Sequence, residues 1–205
     1  MKQRTATRLA WTIWGLSMAL ALGALTLSAI DRTVARTVEN GVFVGIFMAL
    51  GAVGALVVGR QTRNAVGWIL LAVAVAAGGA FAGGEYANHG TFADPGSLPG
   101  VAWAWWMGDF LWVALLALPT TFLLLLFPDG RVPSPRWRPV LWVLTGFVVS
   151  AVVVFALDPT SYAGGRFENP LGVGALRSVA RFLDGPGYFL SSGSGSPCRS
   201  WSPTS

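Results

Sequence analysis

Residues 66–84, VGWILLAVAVAAGGAFAGG, form a continuous stretch without a single charged side chain. A helix rises about 1.5 Å per residue, so this stretch reaches across most of the roughly 30 Å hydrocarbon core of a bilayer. Four similar apolar runs accompany it, at Leu9–Ile30, Val42–Gly59, Val101–Phe127 and Val140–Leu157. Backbone polar groups find no water in lipid, so each run must be helical there. The sequence therefore predicts an all-α integral membrane protein, with five transmembrane helices bundled within residues 1–157.

The composition of the chain agrees with this fold class. Of its 205 residues, 54% are hydrophobic and 11% are charged, whereas soluble domains carry about 25% charged residues. The net charge of +5 is spread over short connections, so we expect the lipid bilayer as a partner and no nucleic acid. The single cysteine, Cys198, excludes an intrachain disulfide and a cysteine-based metal site.

The basic residues predict the orientation of the spans. With a cytoplasmic amino terminus, the inner segments contain eight of them: Lys2, Arg4, Arg8, Arg60, Arg63, Arg131, Arg136 and Arg138. The outer loops between spans contain only Arg32 and Arg36, which is a positive-inside bias. The first run is longer than the roughly 7–15 residues of a secretory signal core, so we expect it to be retained. We predict a multi-pass protein of the cell membrane with its amino terminus in the cytoplasm.

The fourth run has distinctive features at both ends. It is followed by the turn sequence FPDG at residues 127–130. Arg131, Arg136 and Arg138 come next and predict either a tight basic inner hairpin or a surface that contacts lipid headgroups or relays a signal. Within the run, Pro119 predicts a kink, and Thr120 and Thr121 are placed to bond freed backbone groups. Three tryptophans crowd its outer boundary, where indole rings favour the headgroup level: Trp103, Trp105 and Trp106.

Small residues recur at four-residue spacing, which lets helix backbones approach closely. The pairs are Gly41 with Gly45, Gly51 with Ala55, and Gly79 with Gly83. They predict a compact bundle, and a homodimer through one of these pairs is an open alternative.

Asp109 is the only ionisable residue inside an apolar run, and such residues mark functional sites by default. Counted from Phe127 at about 1.5 Å per residue, it lies roughly 27 Å away, so it also has the simpler interpretation of a side chain at the outer interface. Glu85 and His89, with Asp94, fall in a predicted outer loop over residues 85–100. They predict either a proton- or cation-responsive patch or an ordinary polar loop.

The sequence contains no phosphate-binding glycine loop, no HExxH and no GxSxG motif. We therefore expect no enzyme activity, cofactor or metal. Residues 158–190 predict an extracytoplasmic loop, a short amphipathic helix from Gly174 and an incomplete sixth span from Gly187. Residues 191–205 have the serine-rich composition of a disordered tail.

Several stretches resemble the amino-terminal membrane region of actinobacterial sensor histidine kinases. They are RNAVGW at 63–68, GEYA at 84–87, DPGSLPG at 94–100, LLLLFPDGRVPSPRWRPV at 123–140 and ENPLGV at 168–173. Ala65 stands where that family usually has proline, and the phosphoacceptor helices and ATP-binding domain are missing from this sequence. The resemblance implies the sensor region of a two-component signalling protein, truncated before its kinase domains.

Five spans that start inside finish outside, where a cytoplasmic kinase domain has no attachment. An altered end on a shortened gene product and a natural tail are alternative explanations of residues 190–205. The leading hypothesis is a membrane-embedded input region of unknown stimulus. The alternatives are a small stand-alone transport or scaffold protein of unknown substrate and, third, a membrane-embedded enzyme.

Overall fold

In the part of the chain that the computed structural model describes, five helices are long and apolar enough to cross a membrane. They are α1 (Gln3–Asp31), α2 (Val34–Arg60), α3 (Ala65–Asn88), α4 (Val101–Leu118) and α6 (Arg138–Leu157), with α5 (Leu124–Leu126) as a short turn of helix after α4. The structure describes residues 3–31, 34–126, 134–159 and 161–174. The predicted all-α membrane bundle with five spanning helices is confirmed. The predicted amphipathic helix, sixth span and tail lie outside the described residues.

Helix α3 lies at the centre of the bundle and contacts α1, α2 and α4. In the most apolar 18-residue stretch of the span that contains α3, 61% of the residues are buried, whereas the corresponding share in the span that contains α6 is 6%. Apolar side chains such as Trp142 and Val143 leave about three quarters of their surface uncovered on α6. These outer faces contact lipid, because apolar surface of this extent has no other solvent in a membrane-spanning bundle.

Glycines explain how closely α3 approaches its neighbours. A Cβ atom added at Gly78 would lie 2.8 Å from the Ser17 carbonyl oxygen of α1, and one at Gly83 would lie 2.8 Å from the Ala104 carbonyl oxygen of α4. Backbone atoms at this distance leave no room for a side chain, so only glycine permits the contact. By contrast, Cβ atoms added at Gly41 and Gly45 would meet nothing within 4 Å.

Two helices continue as single π-helical turns. The first, His89–Ala93, extends α3, and the second, Pro119–Leu123, follows α4. At the second turn the Thr120 hydroxyl donates to the Leu116 carbonyl at 2.7 Å. Thr120 therefore bonds the backbone of the preceding turn, as threonine side chains inside helices commonly do.

The predicted outer loop over residues 85–100 is wrong in its first part. Glu85 lies inside α3, and His89 opens the π-helical turn that extends it. The helix continues because Ala87 is fully buried against α4 and the Asn88 side chain donates to the Gly84 carbonyl at 2.7 Å. The connection to α4 begins at Asp94, whose N–H still donates to the His89 carbonyl at 3.0 Å.

A small antiparallel hairpin follows α6. Strand β1 (Ser161–Tyr162) pairs with β2 (Phe167–Glu168), and Tyr162 lies opposite Phe167. The Asn169 side chain fixes the hairpin to the end of α6 by donating to the carbonyls of Ala156 at 3.1 Å and Asp158 at 2.6 Å. We call this end of the bundle the hairpin end; the opposite end, with Arg60 and Arg136, is the arginine end.

Candidate functional site

Polar side chains from three helices meet at the hairpin end. His89 Nδ1 lies 2.7 Å from an Asp31 carboxylate oxygen, which joins the end of α1 to the turn after α3. The Asn40 side chain of α2 donates to Glu85 of α3 at 3.2 Å and to Ser28 of α1 at 3.0 Å. These hydrogen bonds connect α1, α2 and α3 at one level of the bundle.

A cleft of about 320 Å³ opens beside this polar cluster. Its floor comes from α3, where small residues leave space, and its opposite side comes from α4. The hairpin contributes Tyr162. The lining residues are Ala80, Phe81, Gly84, Glu85, Trp105, Gly108, Asp109, Trp112 and Tyr162.

Aromatic rings form much of the cleft wall. The Trp105 ring is stacked on Tyr162 at 6.2 Å between centroids and 9° between planes. Phe81 and Trp112 form an edge-to-face pair at 6.2 Å and 88°. Trp105 is held further by its indole N–H, which donates to the Thr91 hydroxyl at 3.1 Å. The walls are therefore fixed by contacts made outside the cleft as well as within it.

The surroundings of Tyr162 in the cleft change the pKa of its hydroxyl. Burial raises the pKa of the Tyr162 hydroxyl above its usual range, and the negative charges of Asp109 and Asp158 raise that pKa further. The hydroxyl therefore stays protonated at every physiological pH. Of these two carboxylates, Asp109 lines the cleft together with Tyr162.

The structure brings some of the predicted site residues together and separates others. Glu85 and Asp109 line the same cleft. Asp109 is exposed at the bundle surface, whereas Glu85 is 8% exposed. His89 points to Asp31 instead.

The predicted inner-loop arginines are far from the cleft. Arg136 and Arg138 are exposed at the arginine end, one in a short 3₁₀ helix and the other at the start of α6. Arg131 lies outside the described residues. Within the part of the chain that the structure describes, no group of three or more His, Cys, Asp or Glu side chains could hold a metal ion.

Sequence reasoning missed several members of the site. Asp31 follows the first apolar run directly, so its position at a span end was a usable signal. Asn40 gave a weaker signal because asparagine is common in connections. Tyr162 gave none, since its place on the cleft depends on the fold of the hairpin.

No family model, curated protein or solved structure matches this chain. The class of protein therefore follows from its own architecture. It is a multi-pass, all-α membrane protein whose apolar helices contact the lipid bilayer.

Proposed function

We propose that this chain is the membrane-embedded input region of a two-component signalling protein, located in the cell membrane, with its hairpin end outside and its amino terminus in the cytoplasm. The observation that carries the proposal is the polar cluster beside the cleft, in which Asp31 contacts His89 and Asn40 donates to Ser28 and Glu85. A stimulus at this cluster contacts three helices at once. The sequence resemblance to sensor histidine kinases supports the same function.

The mechanism requires a stimulus to bias two arrangements of the bundle. The hydrogen bonds at the hairpin end join helices whose other ends meet at the arginine end, where the Gln3 side chain donates to the Gly59 carbonyl at 3.1 Å. Close-packed glycine contacts along α3 keep the helices from deforming continuously. A displacement of α1 against α3 at one end therefore favours a displacement at the other.

The distribution of charge supports the orientation. Arg60, Arg63, Arg136 and Arg138 gather at the arginine end, while Asp31, Glu85, Asp94 and Asp109 belong to the hairpin half. Basic residues remain on the cytoplasmic side of membrane proteins. The arginine end is therefore the cytoplasmic end in this proposal.

Transport by a small stand-alone protein is the second candidate, with a scaffold role beside it. Transport needs a polar path with broken helices near the midplane. The described core around α3 is apolar at that depth, with Val73, Ala77 and Leu115 fully buried. The buried Ser17 hydroxyl donates to the Ile13 carbonyl of its own helix. The packing therefore favours an input region over a transporter.

Spin labels test the coupling between the two ends without knowledge of the stimulus. Cysteines replacing Gln61 and Arg136, in a Cys198→Ser background in liposomes, would report a distance across the arginine end. We expect Asp31→Asn, which weakens the contact with His89, to shift this distance distribution. Asp94→Asn is the matched control, because Asp94 is an exposed carboxylate after the π-helical turn. Identical distributions in the Asp31 variant and its parent would contradict the proposal.

Labelling in intact cells tests the orientation. A membrane-impermeant maleimide should react with a cysteine replacing Gly164 in the hairpin and spare one replacing Arg63. The reverse pattern would place the cleft in the cytoplasm and remove the basis for an extracytoplasmic input.

A further inference from the structure

We infer that the cleft at the hairpin end binds a small organic cation, an alkylammonium or quaternary ammonium group. The inference rests on the proposed function, because the cleft shares Glu85 with the cluster at which the stimulus is proposed to act. It goes further by assigning the chemical class of the ligand. The lining of the cleft combines aromatic rings with two carboxylates, Glu85 and Asp109.

The aromatic walls suit an organic cation. A cation over the face of a tryptophan or tyrosine ring is attracted by the ring quadrupole, and this attraction is strongest when water is excluded. Trp105, stacked on Tyr162, forms one wall, and the edge-to-face pair of Phe81 and Trp112 forms another. Rings contributed by α3, α4 and the hairpin therefore surround the space on more than one side.

The carboxylates supply the second part of the recognition. Among the described residues that line the cleft, both charged side chains are acidic. At the same end of the bundle, the Arg166 guanidinium lies over the Phe92 ring at 5.6 Å from its centroid. That contact shows the same pairing of a cation with an aromatic ring at this end of the bundle. Asp109 lies close enough to Tyr162 for its negative charge to help raise the pKa of the Tyr162 hydroxyl, after the larger effect of burial.

The size and chemistry of the cleft select among cations. Its volume of about 320 Å³ lies at the lower end of the roughly 300–1,000 Å³ found for ligand pockets. A hard metal ion such as Ca²⁺ prefers about six to eight oxygen ligands, whereas this lining is mostly aromatic and small apolar residues. A trimethylammonium group matches both the apolar rings and the negative charge.

Gly84 is the position at which a larger side chain can be introduced to fill the cleft. A Cβ atom added there would meet nothing within 4 Å. Gly108 on the opposite side has no such freedom, because its Cβ would lie 3.2 Å from the Gly84 backbone nitrogen. Leucine at position 84 is therefore expected to fill the ligand space without displacing α4.

Equilibrium binding of radiolabelled choline tests the inference, with the full chain purified in an uncharged maltoside detergent. We expect saturable binding, displaced by tetramethylammonium and at least about tenfold less well by the neutral isostere 3,3-dimethylbutan-1-ol. Equal displacement by the neutral isostere would overturn the inference, because the cleft would then be an apolar pocket without charge selectivity.

Four variants locate the site. Asp109→Asn and Trp112→Leu should each weaken choline binding by about tenfold, and Gly84→Leu should abolish it. Trp142→Leu is the matched control, since Trp142 is 74% exposed on the lipid-facing surface of α6, and it should leave binding unchanged. If Gly84→Leu also lowers the thermal unfolding temperature, its loss of binding is not specific, and the test then depends on Asp109→Asn and Trp112→Leu. Unchanged affinity in both of these variants would overturn the inference.

A trimethylammonium group also occurs in the headgroup of phosphatidylcholine, so a separate experiment must distinguish a lipid headgroup from a free cation as the ligand. Nanodiscs of phosphatidylcholine and of phosphatidylglycerol are compared in about 1 M NaCl, where a Debye length of about 3 Å screens the anionic lipid surface. Choline binding should differ between them if the headgroup competes for the cleft, and should agree if the ligand is a free cation. Failure of choline and tetramethylammonium to bind in both kinds of nanodisc would overturn the inference.

The ligand class and the proposed function fail separately. Choline binding that leaves the Gln61–Arg136 distance unchanged would remove the role of the cleft as an input while retaining the binding site. A distance shift in Asp31→Asn without any choline binding would remove the ligand class alone.

Discussion

Replacing Gly83 by alanine tests the close backbone contact between α3 and α4. The added Cβ would lie 2.8 Å from the Ala104 carbonyl oxygen and 3.0 Å from the Gly108 backbone nitrogen. Both neighbours are backbone atoms, so the two helices must separate. Overpacking of this kind costs about 1–3 kcal/mol, while the better helix propensity of alanine returns about 1 kcal/mol. We expect Gly83→Ala to lower the free energy of unfolding by up to about 2 kcal/mol.

Gly84 is the matched control, because it is adjacent in the same helix and a Cβ there meets nothing within 4 Å. Gly84→Ala should be neutral or stabilise the fold by up to about 1 kcal/mol. Reversible unfolding in mixed micelles of maltoside and SDS, followed by circular dichroism, measures both variants. Because the propensity contribution cancels between them, their difference isolates the packing cost. Equal unfolding free energies would refute a backbone contact at Gly83.

Three further predictions concern single contacts. Asn64→Ala removes the side-chain oxygen that accepts the Val66 N–H at 3.0 Å at the start of α3; it should cost about 1 kcal/mol in the same unfolding assay, with Asn64→Asp retaining most of the stability. Trp105→Phe keeps a ring against Tyr162 but loses the hydrogen bond to Thr91, so we expect a loss of about 1 kcal/mol, and an unchanged midpoint would count against that bond. The pKa of the Tyr162 hydroxyl is raised in the folded protein, so above pH about 10 the unfolded chain loses a proton that the folded chain keeps. The free energy of unfolding should therefore fall more steeply with pH in this range than it does in Tyr162→Phe. Parallel plots of unfolding free energy against pH for the two proteins would contradict the raised pKa.

The number of spanning helices was predictable because the length of an apolar run is a local property of the chain. The run over residues 66–84 has the length and composition of a span, whatever its neighbours are. Helix ends were less predictable. Glu85 and His89 were interpreted as loop residues because they are polar, yet their partners Asn40 and Asp31 come from other helices, 45 and 58 residues earlier in the chain.

Small-residue spacing predicted close packing but not the residues in contact. Gly79 and Gly83 do meet α4, while Gly41 and Gly45 have open space around them. The tryptophans likewise show that a sequence pattern does not identify the contacting partner. The position of Trp105 and Trp106 indicates a headgroup boundary, but both indole N–H groups donate within the protein, to Thr91 and to the Ala156 carbonyl. Sequence alone does not distinguish these partners, because lipid and protein satisfy one indole equally well.

Helix α6 is attached to the bundle mainly through α4, where the Trp106 indole donates to the Ala156 carbonyl at 2.7 Å. Most of its surface contacts lipid, in contrast to the close-packed α3. A bilayer that becomes thinner or thicker than the helix is accommodated by tilting. Tilting α6 about its attachment disturbs none of the glycine contacts among the other spans. Hydrophobic mismatch should therefore act on α6 first, so membrane thickness itself has a direct mechanical effect on this protein.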